Sequence, residues 1–375
     1  MSEKKPSQLE IAQQKAQNAL NQTNRRIESL GEFDGFFYSV YTKLQDHFDT
    51  IRNVPDDKRA QLADIKKESL AWKQQVDKIQ SDYDNAMAKT KASGAVGVAG
   101  VGLATLGPTA AMGIATTFGV ASTGTAISAL SGAAATNAAL AWLGGGAIAA
   151  GGGGMAAGNA LLALAGPVGW ALAGVAFVAS GYLFFKNREK TKTLEHIYTL
   201  IAERDTKSYE LAVVEINERI ERLKEETLRL SNTLAEVKTY GTDYKAMTED
   251  QQYSLGAAFN LMKSALQLLL LPIMGLQPKF TMDDLDSIMK SPSVPYVADS
   301  IFGPKKTVFI TLCNLLYGVD LNDSERKIFS DSLRSNKEFL KSQGAEKEYI
   351  DADLIRLIPV ALDYRDRKRN SVIYL

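Results

Sequence analysis

Cysteine and histidine are almost missing from this chain. Cys313 stands alone, and the two histidines, His47 and His196, lie 149 residues apart. A single cysteine excludes an internal disulfide framework and points to a reducing compartment. With two distant histidines it also leaves no ordinary His/Cys metal site. An excess of charge of one sign is missing too. The 43 basic and 43 acidic side chains cancel, so nothing in the balance favours nucleic acid as a partner. The opening residues, MSEKKPSQLE, lack the apolar run of a cleavable secretory signal, so synthesis in the cytoplasm is expected.

The largest absence is local. From Ala92 to Phe185, 94 consecutive residues contain no Asp, Glu, Lys, Arg or His. All 86 acidic and basic side chains fall in the other 281 residues, whereas 21 of the 29 glycines fall inside the uncharged block. The chain is therefore made of two materials that suit two different surroundings.

Catalytic motifs are also wanting. Gly94–Gly107, GAVGVAGVGLATLG, has glycines like a phosphate loop but no G-K-[ST] ending, and its spacing fails the dinucleotide fingerprint. Gly303-Pro304-Lys305-Lys306 reads as a basic turn. Asp283–Ser287, DDLDS, reads as a solvated helix start rather than a cation site. The sequence thus offers no catalytic residue, no cofactor-binding residue, no metal ligand and no evident small-molecule substrate. It is expected not to be an enzyme.

The charged material has helical period. Ala16, Leu20, Thr23, Ile27 and Leu30 step by four and three. Leu62, Ile65, Ser69, Trp72, Val76, Ile79 and Tyr83 do the same after a break at Pro55. Beyond the block, Ile216, Ile220, Leu223, Thr227, Leu230, Leu234 and Val237 form a heptad flanked by charge. Such stripes build antiparallel bundles or coiled coils, packed within one chain or between chains. The pattern stops near Gly241. The apolar helix AAFNLMKSALQLLLL follows, stopped by Pro272; its Leu268–Leu271 run is too short to span a membrane and reads as core. TMDDLDSIM and LNDSERKIFSDSLRS both open with good N-cap chemistry, and Ser291–Pro295 reads as a loop. The expected fold is all-α in four parts. Residues 1–91 form an N-terminal helical bundle or stalk, 92–185 a Gly/Ala-rich membrane module, 186–247 a long coiled-coil stalk helix and 248–375 a small helical domain.

The uncharged block is far longer than the roughly 20 residues one membrane helix needs. Leu161–Phe185 is its best single span. It ends in the aromatics Tyr182, Phe184 and Phe185, beside Lys186 and Arg188, and Lys89 and Lys91 guard the other flank. Aromatic belts and basic flanks of this kind mark membrane interfaces, and both flanks favour the cytoplasmic side. An even number of crossings follows, two or four, in an inner or otherwise associated membrane. Small residues recur every four positions at Gly124, Ser128 and Gly132, and again at Gly146, Ala150, Gly154 and Gly158. In lipid this spacing lets helix backbones touch; a hairpin tip at the glycine clusters is the alternative. Thr116, Ser122, Thr125, Ser128 and Asn137 belong to a run of nine hydroxyl or amide side chains between Thr116 and Asn137. They would line a wet lumen, or simply bond their own helix backbone. Residues Ala92–Ala141 carry few large apolar side chains, so they suit being held in a soluble bundle and inserted later.

The stretch STGTAISALSGAAATNAALAWLGGGAIAAGGGGMAAG, Ser122–Gly158, resembles a Gly/Ala-rich apolar module of poorly characterised bacterial membrane-associated proteins, where long charged helices also flank it. The architecture is similar to that of α-helical pore-forming toxins, although no toxin motif matches. These resemblances imply a bacterial, membrane-inserting protein that permeabilises or remodels a bilayer, with lipid and a homo-oligomer or coiled-coil mate as partners. Two rivals remain at this stage: a constitutive integral-membrane scaffold, and a soluble oligomer that buries the apolar block.

Overall fold

The computed structural model describes residues 6–92, 109–118, 188–277, 279–291, 293, 301, 303, 305–336, 340 and 345–373. Among these residues the fold is all-α. The one extended pairing is an isolated parallel bridge between Arg52 and Asp243.

Helix α1 spans Gln8–Asp49 and opens with a reciprocal capping box between Ser7 and Glu10. Such a box satisfies two of the free amides at a helix start, worth about 1 kcal/mol. The chain turns at Asn53, the one non-glycine residue with positive φ among those described, and α2 follows over Asp56–Ala92. Lys66 of α2 pairs with Asp49 at the end of α1, and Trp72 stacks on Tyr38 at 5.0 Å, so α2 runs back along α1. A short helix, α3, covers Ala110–Phe118. The longest helix, α4, covers Arg188–Val237.

Helices α1 and α4 are parallel neighbours. The Thr23 hydroxyl donates to Tyr209 O at 3.4 Å, Lys224 lies 4.8 Å from the Phe33 ring centre, and His47 Nε2 meets Val237 O at 3.3 Å. The residue numbers rise together along both helices. Their stripes interlock: Leu20, Ile27, Leu30, Phe37, Tyr41 and Leu44 of α1 are fully buried, as are Ile216, Leu223 and Leu230 of α4. The heptad read from the sequence is thus a seam inside one chain. Thr227, its one polar member, turns its hydroxyl to Leu223 O and leaves no bare donor in the seam.

The bundle is completed by α5, Glu249–Leu270, which starts at a Thr248–Gln251 capping box. Phe259 of α5 stacks on Phe48 at 4.5 Å, and Arg219 of α4 donates to the carbonyls of Leu268 and Leu271 at the far end. Helix α5 therefore runs against α4 and closes the same core, with Leu255, Met262, Leu266 and Leu269 buried. Glu249–Leu276 is long and apolar enough to cross a membrane, with mean hydropathy 1.4, yet its inner face packs here as bundle core. Packing therefore carries the bundle on to Leu276, past the boundary at residue 248 drawn from the pattern. A second core begins at Phe280. It gathers α6 (Met282–Met289), α7 (Lys305–Leu316), α8 (Asp323–Ser335) and α9 (Ala352–Ile373) around Leu194, Ile197, Tyr198 and Ile201 of α4. The caps expected for α6 and α8 are present as boxes at Thr281–Asp284 and Asn322–Glu325.

If the seam carries the fold, a charge within it is intolerable and the same charge outside it is not. Leu223→Asp and Leu230→Asp should each lose roughly 3–5 kcal/mol through an unpaired buried charge. Leu228→Asp, on the same helix but 63% exposed, should change stability by under about 0.5 kcal/mol. Thermal unfolding followed by circular dichroism compares the three; equal melting temperatures would remove the seam from its central place.

Candidate functional site

The first described helix of the uncharged block lies inside the charged bundle. Helix α3 packs against α1, α2 and α5, and Ala110, Ala111, Ile114, Ala115, Thr116 and Thr117 are all buried. A helix buried on every side needs small, uncharged residues, and AAMGIATTF supplies them.

Two glycines make the fit possible. A Cβ on Gly31 of α1 would stand 1.9 Å from Thr109 O, and one on Gly113 of α3 would stand 2.0 Å from Ile27 O. The two backbones are therefore in contact. Gly35, one turn beyond Gly31, leaves room for Met112, whose sulfur would lie 3.5 Å from a Cβ there. Helix α3 is also tied at its C-terminal end, where helix carbonyls have no partner of their own. Thr117 O accepts from Ile273 N at 2.7 Å and from Gln277 Nε2 at 3.2 Å.

Beside this contact sits an ionisable group. Asp34 of α1 is fully buried and faces Thr116 of α3, with Arg219 of α4 close enough to act on its charge. Burial pushes the Asp34 pKa well above the usual carboxylate value, while Thr116 and Arg219 pull it partly back. Arg219 is itself mostly buried; burial lowers its pKa and Asp34 opposes that. Among the described residues, neither Asp34 oxygen, nor the Thr116 or Thr117 hydroxyl, makes a hydrogen bond of full geometry. Each such buried group costs about 1–3 kcal/mol, so α3 docks with good backbone fit and poor polar fit.

A second polar node joins α4 to the C-terminal core. Arg204 donates to Asp205 Oδ1 at 2.8 Å, to Leu315 O at 2.9 Å and to Tyr317 O. Burial, offset by Arg204, leaves the Asp205 pKa raised to about 6. Asn314 uses both ends of its amide, accepting from Lys279 N and Phe280 N and donating to Phe280 O and Ile310 O. Arg204 thus ties α4 to the end of α7, and Asn314 ties α7 to the segment before α6. Two grooves are present, of about 550 Å³ between α2 and α5 and about 470 Å³ beside Leu316, Ile355 and Pro359. Among the described residues, no His, Ser or Cys lines either one. Among the described residues, no three His, Cys, Asp or Glu side chains gather as a metal site.

Of the residues singled out in the sequence, Thr116 is buried in the bundle against Asp34, and Arg188 is the exposed first residue of α4. Lys89 and Lys91 lie on the last turns of α2. The packing positions Gly124, Ser128, Gly132, Gly146, Ala150, Gly154 and Gly158 lie outside the described residues. So do Ser122, Thr125 and Asn137, and the anchors Tyr182, Phe184, Phe185 and Lys186. Sequence reasoning missed Gly31, Gly35 and Asp34. The signals were present: two glycines four apart, and an aspartate in register with Ile27, Leu30, Phe37 and Tyr41 on the apolar stripe. No known protein family, curated protein or solved structure matches the chain.

The glycine contact makes a sharp expectation. Alanine favours a helix interior over glycine by about 1 kcal/mol. At Gly31, however, the new methyl meets rigid backbone, so Gly31→Ala should cost about 1–3 kcal/mol and loosen α3. Gly256→Ala meets only the mobile tip of Lys58, at 3.3 Å, and should be neutral or stabilising. Denaturant unfolding of both variants tests the contrast; a stabilising Gly31→Ala would mean that α3 does not press on α1.

Proposed function

We propose that this protein stows the start of its uncharged block in a helical bundle and inserts that block into a bilayer, permeabilising or remodelling it. The observation that carries the reading is the 94-residue run without charge, of which α3 is held inside the charged bundle. A constitutive membrane segment gains nothing from such docking, whereas a stowed one needs it. The small side chains of α3 bury little apolar area, so the cost of moving it is modest.

Bundle geometry supports the same reading. Helix α2 runs back along α1 while α4 runs with it, so the last residue of α2 and the first of α4 lead to the same end of the bundle. That end carries Lys89, Lys91 and Arg188, basic residues that suit an interface with anionic lipid headgroups. Both flanks of the block then stay on one face of the membrane and the number of crossings is even. Within lipid, the small-residue stripes from Gly124 to Gly158 would pack helices of this chain or of a second copy.

Fractionation with carbonate extraction tests the proposal. A switching protein is expected in both the soluble and the carbonate-resistant membrane fractions, and it should release dye from liposomes that it binds. In a Cys313→Ala background, cysteines placed at Lys91 and Lys186 should be labelled from the same side of sealed vesicles. Confinement to the membrane would favour a constitutive scaffold. Absence from liposomes would favour a soluble oligomer, and opposite-side labelling would end the even-crossing topology.

A further inference from the structure

We propose that Asp34 is a proton-controlled latch for α3: protonated, its carboxyl lets α3 stay docked, and its ionisation drives α3 out. The inference deepens the reading above, since α3 belongs to the block that would insert, but it concerns docking alone and is tested without lipid.

The argument begins with geometry. Asp34 stands on the core stripe of α1, between the Gly31 contact and the Gly35 face where α3 lies. It is fully buried, and among the described residues neither oxygen has a hydrogen bond of full geometry, Thr116 being the polar group that approaches it. A carboxylate buried in that way is poorly tolerated, whereas a neutral carboxyl is cheaper and can donate. The groups acting on it come from two neighbouring helices: Thr116 from α3 and Arg219 from α4, with Glu215, Glu218 and Arg222 behind Arg219. Helix α3 is cut from the charge-free block, so it brings no cation to neutralise Asp34. Arg219 is already engaged with the carbonyls of Leu268 and Leu271. Undocking α3 would open Asp34 to water, where the ionised form is stable at neutral pH.

The sign follows from linkage. Docked, the Asp34 pKa lies well above the ordinary value of 3.8; undocked, it returns toward that value. The docked state therefore binds more protons. Docking is fully favoured below the undocked pKa and weakens as pH rises toward the docked pKa. One proton leaves with each release, so the docking constant falls about tenfold per pH unit within that window. Above the docked pKa the fall stops.

Hydrogen exchange of the full chain without lipid, followed by mass spectrometry from pH 5 to pH 8, reads this directly. Rates are normalised to the intrinsic exchange rate at each pH. The peptide covering Ala111–Thr117 should lose protection about tenfold per pH unit over at least part of that range, while peptides of α8 should hold theirs. Asp34→Asn should keep α3 protected with no pH dependence. Arg219→Gln removes the neighbouring cation and raises the docked pKa, so the decline should extend to higher pH. A merely structural loss in that variant would instead lower protection equally at every pH. Parent protein with flat protection overturns the latch whatever the variants do, and so does an Asp34→Asn slope equal to the parent's. Lipid binding is scored separately, so a flat profile leaves the insertion reading standing, and failure to bind liposomes leaves the latch standing.

Discussion

The parallel seam between α1 and α4 is the constraint on which the rest of the structure depends. Two helices of 42 and 50 residues can run parallel only if the chain travels back between them. Helix α2 makes that return journey, and the uncharged block is inserted before α4 begins. The seam also fixes where other elements go. Its flanks receive α3 and α5, and the first turns of α4 become the post around which the C-terminal helices gather. Helix α3 docks on α1, one side of that seam, and is covered by α2 and α5.

Docking of α3 combines two opposed physical effects. The glycine contact brings backbones as close as sterics allow, which maximises dispersion and excludes water. The same exclusion strands Asp34, Thr116 and Thr117 without full hydrogen bonds. A purely stabilising core would place an apolar residue at position 34, as the neighbouring stripe positions Ile27, Leu30 and Phe37 do. Buried polar groups of this kind raise the energy of the docked state without changing its shape, and that is what a releasable element requires. The node at Arg204 and Asn314 is bonded more fully, with Arg204 and Asn314 each engaging several backbone groups, although Asp205 Oδ2 also lacks a full partner among the described residues.

The uncharged block remains the strongest functional signal in the chain, and the bundle gives it a mechanical setting. Within the bundle, α3 lies beside the seam, while α2 ends and α4 begins at one end of it. Small residues serve both settings. In water they let α3 be buried on all sides; in lipid they let helices touch. The same composition thus fits two environments, which a block rich in leucine would not do.

The stripes at Ala16–Leu30, Leu62–Ile79 and Ile216–Val237, the helix starts at Thr248, Thr281 and Asn322 and the stop at Pro272 were legible because each depends on residues a few positions apart. Period, cap chemistry and the missing proline amide act locally, so the sequence by itself determined an all-α chain and the faces its helices bury. Tertiary structure alone decided that α1 and α4 run parallel, that α5 joins the bundle rather than the C-terminal core, and that Thr116 meets Asp34. Those outcomes rest on contacts between residues about 50 to 210 positions apart, such as Gly31 with Gly113, Thr23 with Tyr209 and Phe48 with Phe259. Periodicity carries no record of which stripe meets which. Asp34 shows the limit most clearly: its place on the stripe was written in the sequence, but its burial beside Thr116 exists only in the folded bundle.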